Sequence, residues 1–171
     1  QIHQPLRLKR YRFFNIGKDH YYYDDYSNET ILQQIADKSF LPANRMFLDL
    51  INLYKGRFKI AFSISGVALD QLEIYAPEVI DGLMELSKTG NVEFLSETYA
   101  HSLSSLGDPI EFQRQVKQHA DKIKLLFDQE PTVFRNTELI YSDEISELVY
   151  NMGYKKMITE GAKQVLGWKS P

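Results

Sequence analysis

The chain contains no cysteine. That excludes disulfides, thiolate zinc sites and cysteine nucleophiles. It also fits a reducing compartment, so a cytoplasmic location is expected. No apolar run approaches the roughly 18 residues that a membrane-spanning helix needs. No signal peptide is visible, and no membrane partner is expected. Gly-rich phosphate loops are missing, since neither GxGxxG nor GxxxxGKS/T occurs. Histidine is scarce, at four residues, and none is paired at i, i+4. With no thiolate to join them, neither a metal nor any other cofactor is expected. A concentrated basic field is lacking too. Lys plus Arg total 20 against 23 Asp plus Glu, for a formal charge of −3. Nucleic acid is therefore not an expected partner, because phosphate binding needs dense positive charge. The basic run Arg7 to Arg12 is interleaved with aromatics and reads as a solvated loop.

What is present suits one domain of ordinary size, at 171 residues. A hydrophobic fraction of 43% is enough for a real core, and the 13% aromatic residues serve either that core or as platforms for sugar rings. The chain opens at Gln1 on what reads as the end of a strand, and stops at Ser170-Pro171 with no helix after the last strand. It is expected to be part of a longer protein.

Strands and helices alternate along the chain. Pro5 closes a short first strand. A long polar and aromatic loop over residues 7–27 follows, with Tyr21, Tyr22 and Tyr23 in it; such loops are functional or mobile. Asn28 reads as the cap of a helix over residues 29–38, and Pro42 opens a helix that Gly56 stops. Phe58, Ile60, Phe62 and Ile64 alternate and predict a strand over residues 58–65. Helices follow over residues 67–75 and 77–88, then a strand over 91–96 and a long helix opened by Asp108-Pro109. Thr132, Val133 and Phe134 predict the next strand, Ser142 caps a helix over residues 143–152, and Gly153 ends it. The last strand is predicted over residues 155–159. This order implies an α/β fold of about five strands, mostly parallel, with flanking helices.

The C-terminal ends of parallel strands are where active sites collect. Here they carry His3, Ser65, Glu97, His101, Glu138 and Glu160. Glu138 sits in a strand-to-helix turn among Arg135, Asn136, Thr137 and Tyr141. Asp143 and Glu144 fill the first turn of the following helix, whose N-terminal dipole favours an ionised carboxylate nearby. On position alone Glu138 reads as a solvated loop residue or a structural hydrogen-bond acceptor ahead of a catalytic one. Acidic groups converging on a cleft with tyrosines nearby suit glycoside hydrolysis, which needs two carboxyl groups flanking the scissile bond.

Three stretches carry a family likeness: His3-Gln4-Pro5, the run GNVEFLSETYAH over residues 90–101, and Phe134-Arg135-Asn136-Thr137-Glu138. In this order they resemble the first three sequence regions of glycoside hydrolase family 57, in the variant of its α-amylase-like members. Ile158-Thr159-Glu160-Gly161-Ala162 and Leu166-Gly167-Trp168-Lys169 resemble the same members. The resemblance implies a partial (β/α)7-type barrel, with residues 1–171 as the N-terminal portion of the catalytic domain and the rest C-terminal to them. It implies retention of configuration on α-glucans or malto-oligosaccharides. Glu138 matches the nucleophile, while His3, Gln4, Glu97, His101 and Glu160 fall at substrate-binding positions. The family's acid/base, an Asp in a fourth region, has no match after Glu138, so this chain alone is expected to be inactive. Two other readings remain open. A polysaccharide deacetylase-like enzyme needs an Asp and two His in a short motif, and His101 has no second His close after it. A non-catalytic carbohydrate-binding domain needs no catalytic residue at all.

Overall fold

The computed structural model describes residues 1–161 and 167. The chain divides into two compact units. The first comprises Gln1–Ile2, Ile60–Gly66 and Glu93–Pro171; the second comprises His3–Lys59 and Val67–Val92.

In the first unit the described residues form four short strands: β1 (Ile60–Phe62), β2 (Val92–Phe94), β3 (Val133–Arg135) and β4 (Lys156–Ile158). β1 and β2 are neighbours, and β3 pairs with β4 in parallel, Phe134 opposite Met157. Single parallel bridges extend the ladder, Ile2 to Ile64 and Ser96 to Phe134. The first expected strand is thus one bridge, with Ile2 N–H donating to Ser63 O at 2.8 Å and Ser65 N–H to Ile2 O at 3.1 Å. The strand expected over residues 58–65 keeps regular pairing only over Ile60–Phe62.

Among the described residues two α-helices cover this unit. α5 (Pro109–Phe127) starts as its sequence dictates, with Asp108 accepting from Glu111 N–H at 3.0 Å. α6 (Asp143–Asn151) is capped by Ser142, which accepts from Ile145 N–H at 3.3 Å. Phe112 and Val116 of α5, Phe134 of β3, and Ile145 and Val149 of α6 pack as one buried cluster. A second stack aligns Phe62, Phe94 and Phe127, with the last two rings parallel and their centroids 4.0 Å apart.

The second unit is helical: α1 (Asp25–Ile35), α2 (Leu41–Leu53), α3 (Gly66–Tyr75) and α4 (Pro77–Lys88). Here one expectation is corrected. Asp24 caps α1 by accepting from Ser27 N–H, and Asn28 lies inside the helix, wholly buried. The Asn28 side chain accepts from Arg7 N–H at 2.8 Å and donates to Arg7 O at 3.2 Å. Its amide thus satisfies the backbone of the preceding loop, which outweighs its local preference for a cap. A π-helical turn, Ala36–Phe40, joins α1 to α2 without a break. Pro42 explains it: proline supplies no N–H and its ring clashes with the carbonyl one turn back, so the helix widens before it. α2 and α4 approach closely at Gly82, where a Cβ would lie 2.6 Å from Asn44 Nδ2. The aromatic loop is pinned by an antiparallel bridge, Leu8 to Tyr23, and by Tyr11 O–H donating to the carbonyls of Asn15 and Asp19. Among the described residues no helix is long and apolar enough to cross a membrane.

Candidate active site

The segments leaving β2 and β3 converge within the first unit. β2 continues through Ser96 to Glu97, whose side chain is wholly buried although it is a carboxylate. A buried charge must be paired and hydrogen-bonded. Ser63 O–H, just past β1, donates to Glu97 Oε1 at 3.0 Å, and His101 Nδ1 lies 3.2 Å from Glu97 Oε2. On the other side of the same ring, His101 Nε2 lies 3.3 Å from Glu138 Oε1. The His101 side chain is 10% exposed and that of Glu138 is 72% exposed. A charge-bearing line thus runs from a dry carboxylate, through an imidazole, to a carboxylate open to solvent.

The electrostatics follow from this geometry. The Glu97 carboxylate holds the His101 pKa above its ordinary value, burial works against that, and Glu138 adds to the upward pull. A protonated ring donates from both nitrogens, one to each carboxylate. A neutral ring would leave a lone pair facing one of them.

The backbone at this point is unusual. His101, Glu138 and Leu139 have φ of 52°, 54° and 57°, the left-handed region that non-glycine residues seldom enter. Such residues cost of order 1–3 kcal/mol each and persist only where surrounding contacts impose them. Here those contacts are visible. Thr98 Oγ1 and Thr137 Oγ1 are 2.9 Å apart and tie the two segments together. Asn136, wholly buried, donates to Ser105 Oγ at 3.1 Å and to Ile140 O at 3.0 Å, closing the turn around Glu138. Ser102 N–H donates to Thr98 Oγ1 at 2.9 Å and holds the turn that carries His101.

Of the residues singled out in the sequence, Glu97, His101 and Glu138 are brought together. Glu160 joins the Glu138 turn through its backbone, its N–H donating to Leu139 O at 3.2 Å. His3 and Gln4 belong to the second unit. There Gln4 O accepts from Gln71 Nε2 at 2.7 Å, and Gln4 Oε1 accepts from Arg7 at 3.2 Å. Of the family-like C-terminal residues, Ala162, Leu166, Trp168 and Lys169 lie outside the described residues.

Two contributors were not singled out. Ser63 is one of alternating strand residues and carries no signal of its own. His119, on α5, is wholly buried, with Nε2 donating to Ile64 O at 2.7 Å and Nδ1 accepting from Glu97 N–H at 3.4 Å. A carbonyl only accepts, so Nε2 carries the proton. Burial pushes the His119 pKa down, the Ile64 bond opposing it, and the ring is a neutral strut under Glu97. A histidine on the inner face of an amphipathic helix was the one available clue. Among the described residues no group of three His, Cys, Asp or Glu is arranged to hold a metal ion.

Known proteins share this architecture. A curated protein of Methanocaldococcus jannaschii named "Putative alpha-amylase" is 38% identical over the whole chain. The chain spans 37% of that protein's length. A 4-alpha-glucanotransferase structure from Thermococcus litoralis superposes on 75% of this chain with a TM-score of 0.67 at 16% identity, over 20% of its own length. A GH57-type branching enzyme structure from Pyrococcus horikoshii covers 91% of this chain with a TM-score of 0.60 at 12% identity, over 39% of its own length. At such identities the two structures speak for the fold, which is the α/β barrel type in part. The profile of Glycosyl hydrolase family 57 matches residues 1–171 from end to end, and the chain belongs to that family.

Proposed function

We propose that this chain is the N-terminal, nucleophile-bearing part of a retaining enzyme that acts on α-glucans, by hydrolysis or by 4-α-glucanosyl transfer. One observation carries the reading. Glu138 stands on a left-handed turn at the end of β3, open to solvent, with one carboxylate oxygen held by His101. The family membership and the α-amylase name of the relative support an α-glucan substrate.

In this reading Glu138 attacks the anomeric carbon as the bond to the leaving sugar oxygen breaks. A glycosyl ester forms on Glu138, and the leaving oxygen takes a proton from a general acid. Water or a sugar hydroxyl then attacks the same carbon, gives up its proton to the conjugate base, and frees Glu138. The acid/base belongs to the part of the protein C-terminal to this chain, within about 5–5.5 Å of Glu138 in the assembled site. In this reading His3, Gln4 and Glu160 are the sugar-binding residues. The cysteine-free composition supports a reducing, cytoplasmic setting.

The test is Glu138→Gln in the complete protein. The change is nearly isosteric, so folding persists while kcat on malto-oligosaccharides falls by roughly four orders of magnitude or more. An active Glu138→Gln enzyme refutes the assignment. So does sustained glucan cleavage by residues 1–171 alone, which would put the second carboxyl group inside this chain.

A further inference from the structure

We infer that Glu97 is a positioning residue, which acts on Glu138 through His101 rather than by touching sugar. The inference rests on the reading of Glu138 as nucleophile.

Glu97 has no exposed surface, and both carboxylate oxygens have partners, Ser63 on one and His101 on the other. A sugar hydroxyl would have to displace one of these bonds and open the core to reach it. The direction of Glu97 is fixed from beneath. His119 accepts from its backbone N–H and is itself anchored to Ile64 O, at the end of β1. Glu97 is thus the most firmly held member of the line, and Glu138, at 72% side-chain exposure, the least. His101 passes that order on. Its ring is oriented by Nδ1 on Glu97 and so aims Nε2 at Glu138 Oε1.

Charge follows the same route. Glu97 and Glu138 both face His101, and His119 lies against the Glu97 backbone. Glu97 favours the charged form of the His101 ring, and that ring occupies one oxygen of Glu138. Oε2 is then the oxygen that attacks. When Glu138 is esterified its charge disappears, and the Glu97 partner retains the proton on His101 until the ester is cleaved. Without Glu97 the ring loses the bond at Nδ1 that aims Nε2 at Glu138 and favours the ring's charged form.

The test is a double-mutant cycle in the complete protein, with Glu97→Gln, His101→Gln and the pair together. Glu97→Gln should lower kcat by about 10- to 100-fold, the range expected of a small misplacement, with KM within about twofold. The double variant should be no slower than His101→Gln alone, because two residues that act as one unit do not add. A multiplied loss in the double variant, or a rise in KM with kcat unchanged, overturns the inference. Ser63→Ala removes only the hydroxyl donor to Glu97. It should give a smaller loss that also vanishes in the His101→Gln background, and it serves if Glu97→Gln does not fold. Trapping with a fluorinated glycosyl fluoride and mapping the labelled peptide tests Glu138 separately. Label on another residue would sink the nucleophile reading, whereas label on Glu138 with a multiplicative cycle would sink this one alone.

Discussion

Gly66→Ala should damage both stability and turnover, because an added methyl group would strike the Tyr99 ring. Gly66 opens α3, and an added Cβ would lie 2.4 Å from Tyr99 Cδ2 and 2.5 Å from Tyr99 Cγ. Ordinary contact begins near 3.5 Å. The overlap is thus about an ångström and includes Cγ, the ring atom next to the backbone. A flexible tip would swing away, but Cγ moves only if the Tyr99 χ1 angle or the backbone moves. That backbone lies between Glu97 and His101. Alanine gains at most about 1 kcal/mol in helix propensity over glycine, and less in a first turn. Overpacking costs typically 1–3 kcal/mol. The net should be a loss of about 1–2 kcal/mol, from that overpacking less the propensity gain. Urea unfolding of the complete protein measures it, with steady-state kinetics on malto-oligosaccharides alongside. Because the segment bearing His101 shifts, kcat should fall by about tenfold or more, as small misplacements do. Gly82→Ala is the control. Its clash is with the Asn44 side chain, whose donation to Val79 O at 3.1 Å would be lost, so it should cost stability and leave kcat unchanged. A Gly66→Ala protein with unchanged midpoint and unchanged kcat would refute the reasoning.

Three further outcomes are expected. Stability should respond to pH through the two site histidines in opposite senses. His119, depressed below 6.5, contributes stability present above that value and lost as pH falls, because the unfolded chain then binds the proton that the folded one refuses. His101, raised above 6.5, contributes stability fully present below that value and lost as pH rises through its folded pKa. Urea midpoints against pH should therefore lose part of their acid-side slope in His119→Gln and part of their alkaline-side slope in His101→Gln; unchanged slopes would count against the assigned protonation states. Phe134→Ala, which empties the centre of a cluster in contact with Phe112 and Tyr154, should cost about 3–5 kcal/mol by urea unfolding. Asn28→Ala should cost more than Asp24→Ala, for which about 1 kcal/mol is typical of a lost cap; equal losses would mean that the two bonds to Arg7 contribute little.

The sequence alone determined the order of elements, the ends of α5 and α6, and the family. Asp108, Ser142 and Gly153 act on backbone groups within a turn of themselves, so their effects are written locally. The alternation of Phe58, Ile60, Phe62 and Ile64 likewise needs only the two-residue period of a strand. Asn28 shows where local reading stops. Cap and core amide are equal choices for an asparagine until Arg7, 21 residues away, claims its side chain. The site shows it more fully. Ser63 meets Glu97 across 34 residues and His101 meets Glu138 across 37, and no local rule spans such distances. Only the tertiary structure decided that Glu97 is dry while Glu138 is wet, and that a helix histidine supports the first of them. Burial depends on what packs from elsewhere in the chain, and it is burial that turns two similar carboxylates into an anchor and a nucleophile candidate.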